Sequence, residues 1–429
     1  MANSATLTLW RPTRMKPSAP RTAVVLYLGA MVLIHTIVFW NVRKQIQKGY
    51  SDFAIYYCAA SIVRQGLGHQ LYDESVQFMV QEEFAPEVPI RRGALPYTHP
   101  PIEALFFAPF SYLSYVQAFV LWDVLNIAML VALPFLLRPY LPQLQSYSPL
   151  LWLLASLAFF PIFFALVQGQ DAILLLFLYA MAFISIKKQR PVLAGALLAL
   201  GLFKFHLVLP FVLLLLVQRR KRILYGFIPV AMALAVISAF IVGVKGLMSY
   251  PRYVLHLEEI MGRGAIVPAD MPNLRGILHL LPLSESHKTP LPLIFSLALV
   301  VFAAWTCRIA DHADSSHLKF SLAMIVTVLV SYHAMGYDLS MLMLPVFLTS
   351  DQLLNKDRIG GLPDVAVACG IAALFFSPLQ LLLLMRYNRL ALLGWLILVW
   401  MSAIARMICR MDAEAGSLSR RVQPARSLF

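Results

Sequence analysis

Of 429 residues, 60% are hydrophobic and only 13% are charged, with 35 Lys+Arg against 21 Asp+Glu and a mean hydropathy of +0.74. A soluble chain carries ~25% charged and ~45–50% apolar residues, so the composition excludes a string of soluble domains and describes one polytopic membrane protein. A net charge of +14 and a pI near 9.7 invite a nucleic-acid partner, and the placement of the positive charges decides that question.

Residues 1–21 form a polar, basic start (Arg11, Arg14, Lys16, Arg21). The run from Thr22 to Trp40 has about the ~20 residues needed to cross hydrocarbon, is too long for a signal-peptide core and lacks an A-x-A cleavage site, so a retained first helix is expected. A long outer segment, 43–113, follows. It contains amphipathic stretches at Ser51–Gln65 and Glu74–Phe84, a Pro96-Tyr97-Thr98-His99-Pro100-Pro101 turn and a short apolar helix, Ile102–Leu113. Further apolar runs lie near 114–137, 149–167, 171–186, 190–204, 206–218 and 223–243. A second outer segment at 244–289 is broken by Pro251, Pro268, Pro272 and Pro282. Runs near 290–309, 318–334, 337–350, 363–380 and 390–408 precede a basic tail, 411–429. With 22–42 this predicts about ten to twelve transmembrane helices, the pair at 190–218 being two crossings or one broken helix with a re-entrant piece. Unpaired backbone is too costly in lipid for anything but helix. Cys58, Cys307, Cys369 and Cys409 are scattered, with no metal-ligand or disulfide spacing.

With the N-terminus in the cytoplasm, the inner segments hold 21 of the 35 positive charges against seven acids, including Lys187-Lys188, Arg219 to Arg222 and Arg406 to Arg426. Arg386 and Arg389 fall outside and dissent. The outer side nets zero and the inner side carries the whole +14. The basicity is therefore a topology signal facing an anionic inner leaflet, and no nucleic-acid partner is expected. The expected location is the cell (inner) membrane, with both termini cytoplasmic.

A charge at mid-membrane costs at least ~2.5–3.5 kcal/mol, so ionisable residues in or beside spans are functional candidates. Here Asp52, His99, Glu103, Gln168, Gln170, Asp171, Lys204, His206, Asn273, Arg275, His333 and Asp338 all map to outer helix ends or outer loops. A transporter more often places such groups at mid-membrane within broken helices. This set describes a cavity open to the outer face.

Each candidate has a chemical and a plain reading. Asp52 is either a base that deprotonates an acceptor hydroxyl or the N-cap of the helix after it. Tyr56 and Tyr57 follow on that helix and can flank a sugar or lipid head. Lys204 and His206 hold a lipid phosphate, or Lys204 simply snorkels. Arg275 matches phosphate oxygens with its guanidinium fork, or is a solvated loop arginine. His333 and Asp338 pair to orient an imidazole, or form an ordinary turn. Gln168-Gly169-Gln170-Asp171 caps a helix or binds sugar hydroxyls, and His99 faces the pocket or only shapes its turn. No Walker motif, GxGxxG, HExxH, GxSxG or DxD pair occurs. A lipid-phosphate donor needs no DxD, and nucleotide sugars are not expected outside.

The order of motifs resembles glycosyltransferase family 87, the polyprenol-phosphate-mannose-dependent alpha-1,2-mannosyltransferase type, of GT-C fold. The pieces are Asp52-Phe53 with Tyr56-Tyr57 and Ala59-Ala60, Gly66 through Leu71-Tyr72-Asp73, Tyr97-Thr98-His99-Pro100-Pro101, Phe107-Ala108-Pro109 and Leu121-Trp122 with Leu125-Asn126. Then come Gln168-Gly169-Gln170, Gly201-Leu202 with Lys204-Phe205-His206, Asn273-Leu274-Arg275-Gly276, and Tyr337-Asp338 ahead of Leu342 to Pro345. The family often has Lys-Pro at Lys204-Phe205, a Gln-Ser pair within the turn before Leu274, and Ser-Pro-His where Ser331-Tyr332-His333 stands here. The resemblance implies an inverting enzyme that takes a sugar, usually mannose, from a polyprenyl-phosphate donor on the extracytoplasmic side, with its catalytic carboxylate at Asp52.

The expectation is an all-α, GT-C-type integral membrane domain over 22–410. It is expected to act as a hexosyltransferase on a lipid or glycan acceptor, without a required cofactor and with metal dependence open. The alternatives are a transporter or flippase of lipid-linked sugars, which needs a polar path to the cytoplasmic side, and a non-catalytic membrane scaffold.

Overall fold

The computed structural model describes residues 19–88, 96–260, 267–288, 290–309, 315–355 and 361–422. The helices are α1 (Ala19–Gln47), α2 (Phe53–Arg64), α3 (Glu74–Phe84), α4 (Pro101–Phe107), α5 (Tyr115–Leu137), α6 (Pro149–Ala158), α7 (Phe160–Gln168), α8 (Ala172–Lys187), α9 (Pro191–Leu200) and α10 (Phe205–Val217). They continue as α11 (Leu224–Ile260), α12 (Leu274–His279), α13 (Glu285–Lys288), α14 (Pro290–Ile309), α15 (Ser316–Val330), α16 (Met343–Leu354), α17 (Leu362–Leu374), α18 (Ser377–Met385) and α19 (Leu393–Val422). No strand occurs among the described residues. The expected all-α polytopic class is what forms.

Six helical stretches among the described residues are long and apolar enough to cross a membrane, and eight if each of two bent pairs is one span. The pairs are α6 with α7, bent 70°, and α17 with α18, bent 59°. The segments expected at 190–204 and 206–218 are contiguous in helix, Pro191–Val217, but turn at the 3-10 segment Gly201–Lys204, so that α9 and α10 are two legs, α10 running back along α8. Counting apolar runs to ten or twelve also includes α8 and α15, which are shorter apolar helices buried on nearly every side. A helix apolar all round belongs inside a bundle as readily as against lipid, and periodicity cannot separate the two.

The outer surface is itself apolar: Phe240 is 85% exposed, and Leu26, Met248 and Val244 are comparably bare. Such a belt is stable only against hydrocarbon. Inside, one large core spans α5 to α10 and α14 to α19, and a smaller aromatic core joins α2, α4 and α5 around Phe53, Tyr56, Phe107 and Trp122. Polar ties cross the larger core. In α1, His35 bonds Leu157 O at 2.9 Å and Ser377 Oγ at 2.8 Å and stacks on Phe163. This links α1 to both bent pairs.

Topology places the polar groups. α7 ends and α8 starts at one end of the bundle; α9 returns there and α10 leaves from it. Gln168, Asp171 and Lys204 therefore share that end, while Lys187, Lys188, Arg190 and Arg219 to Arg222 lie about 20–24 Å away along α8 and α10.

Among the described residues, α9 crosses α11 with backbones in direct contact. A Cβ on Gly226 would lie 1.8 Å from Val192 O, and one on Gly195 would lie 1.9 Å from Ile223 O. Small residues let the two backbones touch, the usual way helices associate in lipid. Gly226→Ala should therefore cost about 1–3 kcal/mol through overpacking, read as a lower thermal midpoint in detergent. Gly29→Ala, with nothing within 4 Å of the added carbon, should leave the midpoint unchanged.

Candidate active site

The site is organised by a turn. α7 ends at Gly169 with φ +61°, and the Gln170 N–H closes the turn on Ala165 O at 2.8 Å. The left-handed φ favours glycine, and so does the space: a Cβ would lie 2.7 Å from Phe53 Cβ and 2.8 Å from Phe119 Cε2. Trp122 Nε1 donates to Gly169 O at 3.1 Å. The loop is thereby pressed under the start of α2, with Gln168 and Gln170 directed at Asp52.

Asp52 occupies the N-cap position of α2, yet its side chain makes no capping bond. The capping reading is therefore set aside. Its N–H donates to Gln168 Oε1 at 3.0 Å, and Gln170 Nε2 donates to its Oδ2 at 2.8 Å. The Tyr56 hydroxyl donates to Gln170 Oε1 at 2.6 Å, which settles how that amide is turned. Burial raises the Asp52 carboxyl above the usual range; the Gln170 hydrogen bond and the positive field of Lys204 partly offset this.

Lys204 lies behind this carboxylate, 2% exposed, so it does not snorkel. Its Nζ is 2.7 Å from Asp338 Oδ1, 3.0 Å from Asp171 Oδ1 and 3.4 Å from Gln170 Oε1, and it stands 5.1 Å from the Tyr337 ring centroid. Asp338 Oδ2 accepts the Met335 N–H at 2.8 Å. One ammonium thus ties the start of α8, the start of α10 and the Gly336–Leu342 turn.

On the α4 side, His99 Nδ1 is 2.9 Å from Glu103 Oε2, and the His99 ring meets Tyr56 edge-on at 5.2 Å. Burial pushes the Glu103 carboxyl up to about 7 and holds His99 down to about 4. The Tyr97 hydroxyl lies 3.3 Å from Glu103 Oε2. His99, Glu103 and Asp171 bring one nitrogen or oxygen each to within 4.8 Å of one another.

The remaining candidates form the other wall. Asn273 caps α12, its Oδ1 accepting the Gly276 N–H at 2.9 Å while its Nδ2 donates to Ser331 O at 2.8 Å. That bond docks the 273–275 turn on the 331–333 turn. Arg275 lies 4.0 Å over the Tyr332 ring, and His333 meets His206 edge-on at 6.3 Å. His206, two residues from Lys204, joins this wall to the buried cluster.

Three expectations change. Tyr57 does not flank the pocket: its hydroxyl donates to Leu113 O at 2.7 Å and its ring packs on Phe84 and Tyr115. Residues on a helix are 100° apart, so only Tyr56, four positions from Asp52, shares its face. Asn273 spends both ends of its amide on backbone and is fully buried, so it shapes the wall rather than lining a pocket. Asp338 gives both oxygens to Lys204 and the Met335 N–H, so orienting an imidazole is not its work. Glu103 and Tyr337 are the residues sequence reasoning left without a role. The i, i+4 spacing of His99 and Glu103 was the available signal for the first.

A family-level comparison matches residues 97–331, rather more than half of the chain, to glycosyltransferase family 87. That stretch holds His99, Glu103, Gln168, Gln170, Asp171, Lys204, His206, Asn273 and Arg275, while Asp52, His333 and Asp338 lie outside it. Neither a curated protein nor a solved structure matches the chain.

Breaking a buried ion pair from one side leaves a charge with no partner. Lys204→Met, which strands Asp171 and Asp338, should cost about 3–5 kcal/mol and lower the thermal midpoint in detergent. Lys188→Met, at an exposed position, should stay within ~0.5 kcal/mol of the parent.

Proposed function

The chain belongs to glycosyltransferase family 87 and is a membrane glycosyltransferase, and from that premise we propose that it moves a hexose, mannose first among them, from a polyprenyl-phosphate donor to a hydroxyl of a lipid or glycan acceptor. The reaction runs on the extracytoplasmic side of the cell membrane, since the site end of the bundle lies opposite the basic loops that prefer the cytoplasm. The observation that carries the reading is Asp52. A carboxylate at the accessible edge of the site is held at its backbone by Gln168 and through its side chain by Gln170 and Tyr337, which fixes it where a substrate hydroxyl would meet it.

In this mechanism, Asp52 takes the proton of the acceptor hydroxyl. The freed oxygen attacks the anomeric carbon from the face opposite the phosphate; the new C–O bond forms as the bond to phosphate breaks, and the configuration inverts. Polyprenyl phosphate leaves with the electron pair. Arg275 and His206 meet the phosphate, with Lys204 behind them as a fixed positive charge whose position Asp171 and Asp338 set. His333 stands over His206, and Tyr56, His99 and the two glutamines shape the sugar side. The hydrocarbon tail lies against the apolar outer surface.

Purified protein incubated with polyprenyl-phosphate hexoses and candidate acceptors should release lipid phosphate and give a glycosylated product by mass spectrometry. General-base catalysis contributes ~10²–10⁴-fold, so Asp52→Asn should reduce transfer by about that factor while keeping the parent thermal midpoint; near-parent turnover would sink the assignment. The base must be ionised, and burial raises its pKa. Transfer should therefore fall on acidification at a pH above the ordinary aspartate range, and that acid limb should vanish from the residual rate of Asp52→Asn.

A further inference from the structure

Asp52, Glu103, Asp171 and Asp338 share the site with one buried lysine or arginine among the described residues, Lys204, and Asp171 and Asp338 both lean on it. A phosphate-bearing donor would add negative charge to a site already short of positive charge. Desolvated charges of one sign are tolerated only when compensated.

The shortage is sharpest beside α4. Glu103 and Asp171 are 3% and 1% exposed. Glu103 Oε1 and Asp171 Oδ2 accept no hydrogen bond among the described residues, while Asp171 Oδ1 is the oxygen nearest Lys204. A buried carboxylate oxygen without a donor is costly, and here two belong to residues whose carboxyl groups adjoin. His99 completes the group, one ring nitrogen facing Glu103 at 2.9 Å and its side chain 18% exposed at the site's mouth.

We infer that His99, Glu103 and Asp171 bind a divalent cation of the Mn²⁺ or Zn²⁺ class. One imidazole nitrogen and two carboxylate oxygens suit such ions, and three protein ligands leave coordination positions open for substrate. The ligands are braced from outside: Lys204 holds the other oxygen of Asp171, Tyr97 reaches Glu103 Oε2, and the Tyr56 ring sets the tilt of His99. The ion supplies the positive charge that the carboxylates lack. Under the function proposed above, an open position takes an oxygen of the donor phosphate beside Lys204; the ion's binding itself does not depend on that reading.

The test uses full-length protein in detergent, stripped with EDTA, re-isolated and titrated with Mn²⁺ while free Mn²⁺ is followed by electron paramagnetic resonance. One ion per chain is expected, with a ¹⁴N coupling in the bound signal from His99. Glu103→Gln and His99→Gln should each weaken binding at least tenfold, His99→Gln should also remove the nitrogen coupling, and Asp52→Asn should bind like the parent. Absence of saturable Mn²⁺ or Zn²⁺ binding by the parent protein would overturn the site, leaving the two carboxyls to share a proton. Binding unchanged in both ligand variants, or without nitrogen coupling, would overturn it equally. Stoichiometric, histidine-coupled binding in a protein that transfers no sugar from polyprenyl phosphate would support the cation site and reject the donor reading.

Discussion

A lysine buried between two aspartates is the constraint on which the rest of the site depends. Lys204 has given up its water, and only the close carboxylates of Asp171 and Asp338 make that tolerable. The three residues come from segments far apart in the chain, so their meeting sets how α8, α10 and the Gly336–Leu342 turn sit relative to one another. Gly169 and Gly336 both stand where a side chain would push neighbours away: a Cβ on Gly336 would lie 2.5 Å from Leu390 Cδ2. The ion cluster is thus enclosed by packing tight enough to hold it. Gln170 transmits the arrangement outward, since the amide near Lys204 at one end holds Asp52 at the other.

The two ends of the bundle solve opposite electrostatic problems. At one end Lys187, Lys188 and Arg219 to Arg222 gather near helix C-termini, where cations are favoured by the dipole and by an anionic membrane surface. At the other end carboxylates outnumber cations within a partly closed site. Under the function proposed above, a phosphate-bearing donor would have to be reconciled with this acidic site. In that proposal Arg275, His206 and Lys204 supply one part of the positive charge, and a cation held at His99, Glu103 and Asp171 the other.

Much of the site was legible because membrane insertion makes polar residues expensive. Asp52, His99, Gln170, Asp171, Lys204 and Asp338 stood out as polar groups at the ends of apolar runs, and they do converge. Their individual roles were less legible. Tyr56 and Tyr57 are equivalent in composition and adjacent in sequence, and only the helix face separates the one that bonds Gln170 from the one that bonds Leu113 O. Asn273 looked like a ligand-binding amide because a buried cap and a pocket residue are the same residue type. The count of spans was blurred for a similar reason: α8 and α15 are apolar on every side, and hydropathy does not distinguish enclosure by protein from enclosure by lipid.

The sequence by itself determined the class of molecule, an all-helical bundle in a membrane, because hydrocarbon admits no other backbone and apolar runs of spanning length leave little choice. It also determined that the costly polar residues gather at one end, since the alternation of crossings maps them to a face without any knowledge of packing. Only the tertiary structure decided who partners whom. Lys204 became a buried clamp instead of a snorkelling surface charge, Asp52 a held carboxylate instead of a cap, and Glu103 a neighbour of Asp171. The reason is physical: insertion cost is a property of each segment and is written locally, whereas the compensation of a buried charge depends on residues tens to more than a hundred positions away.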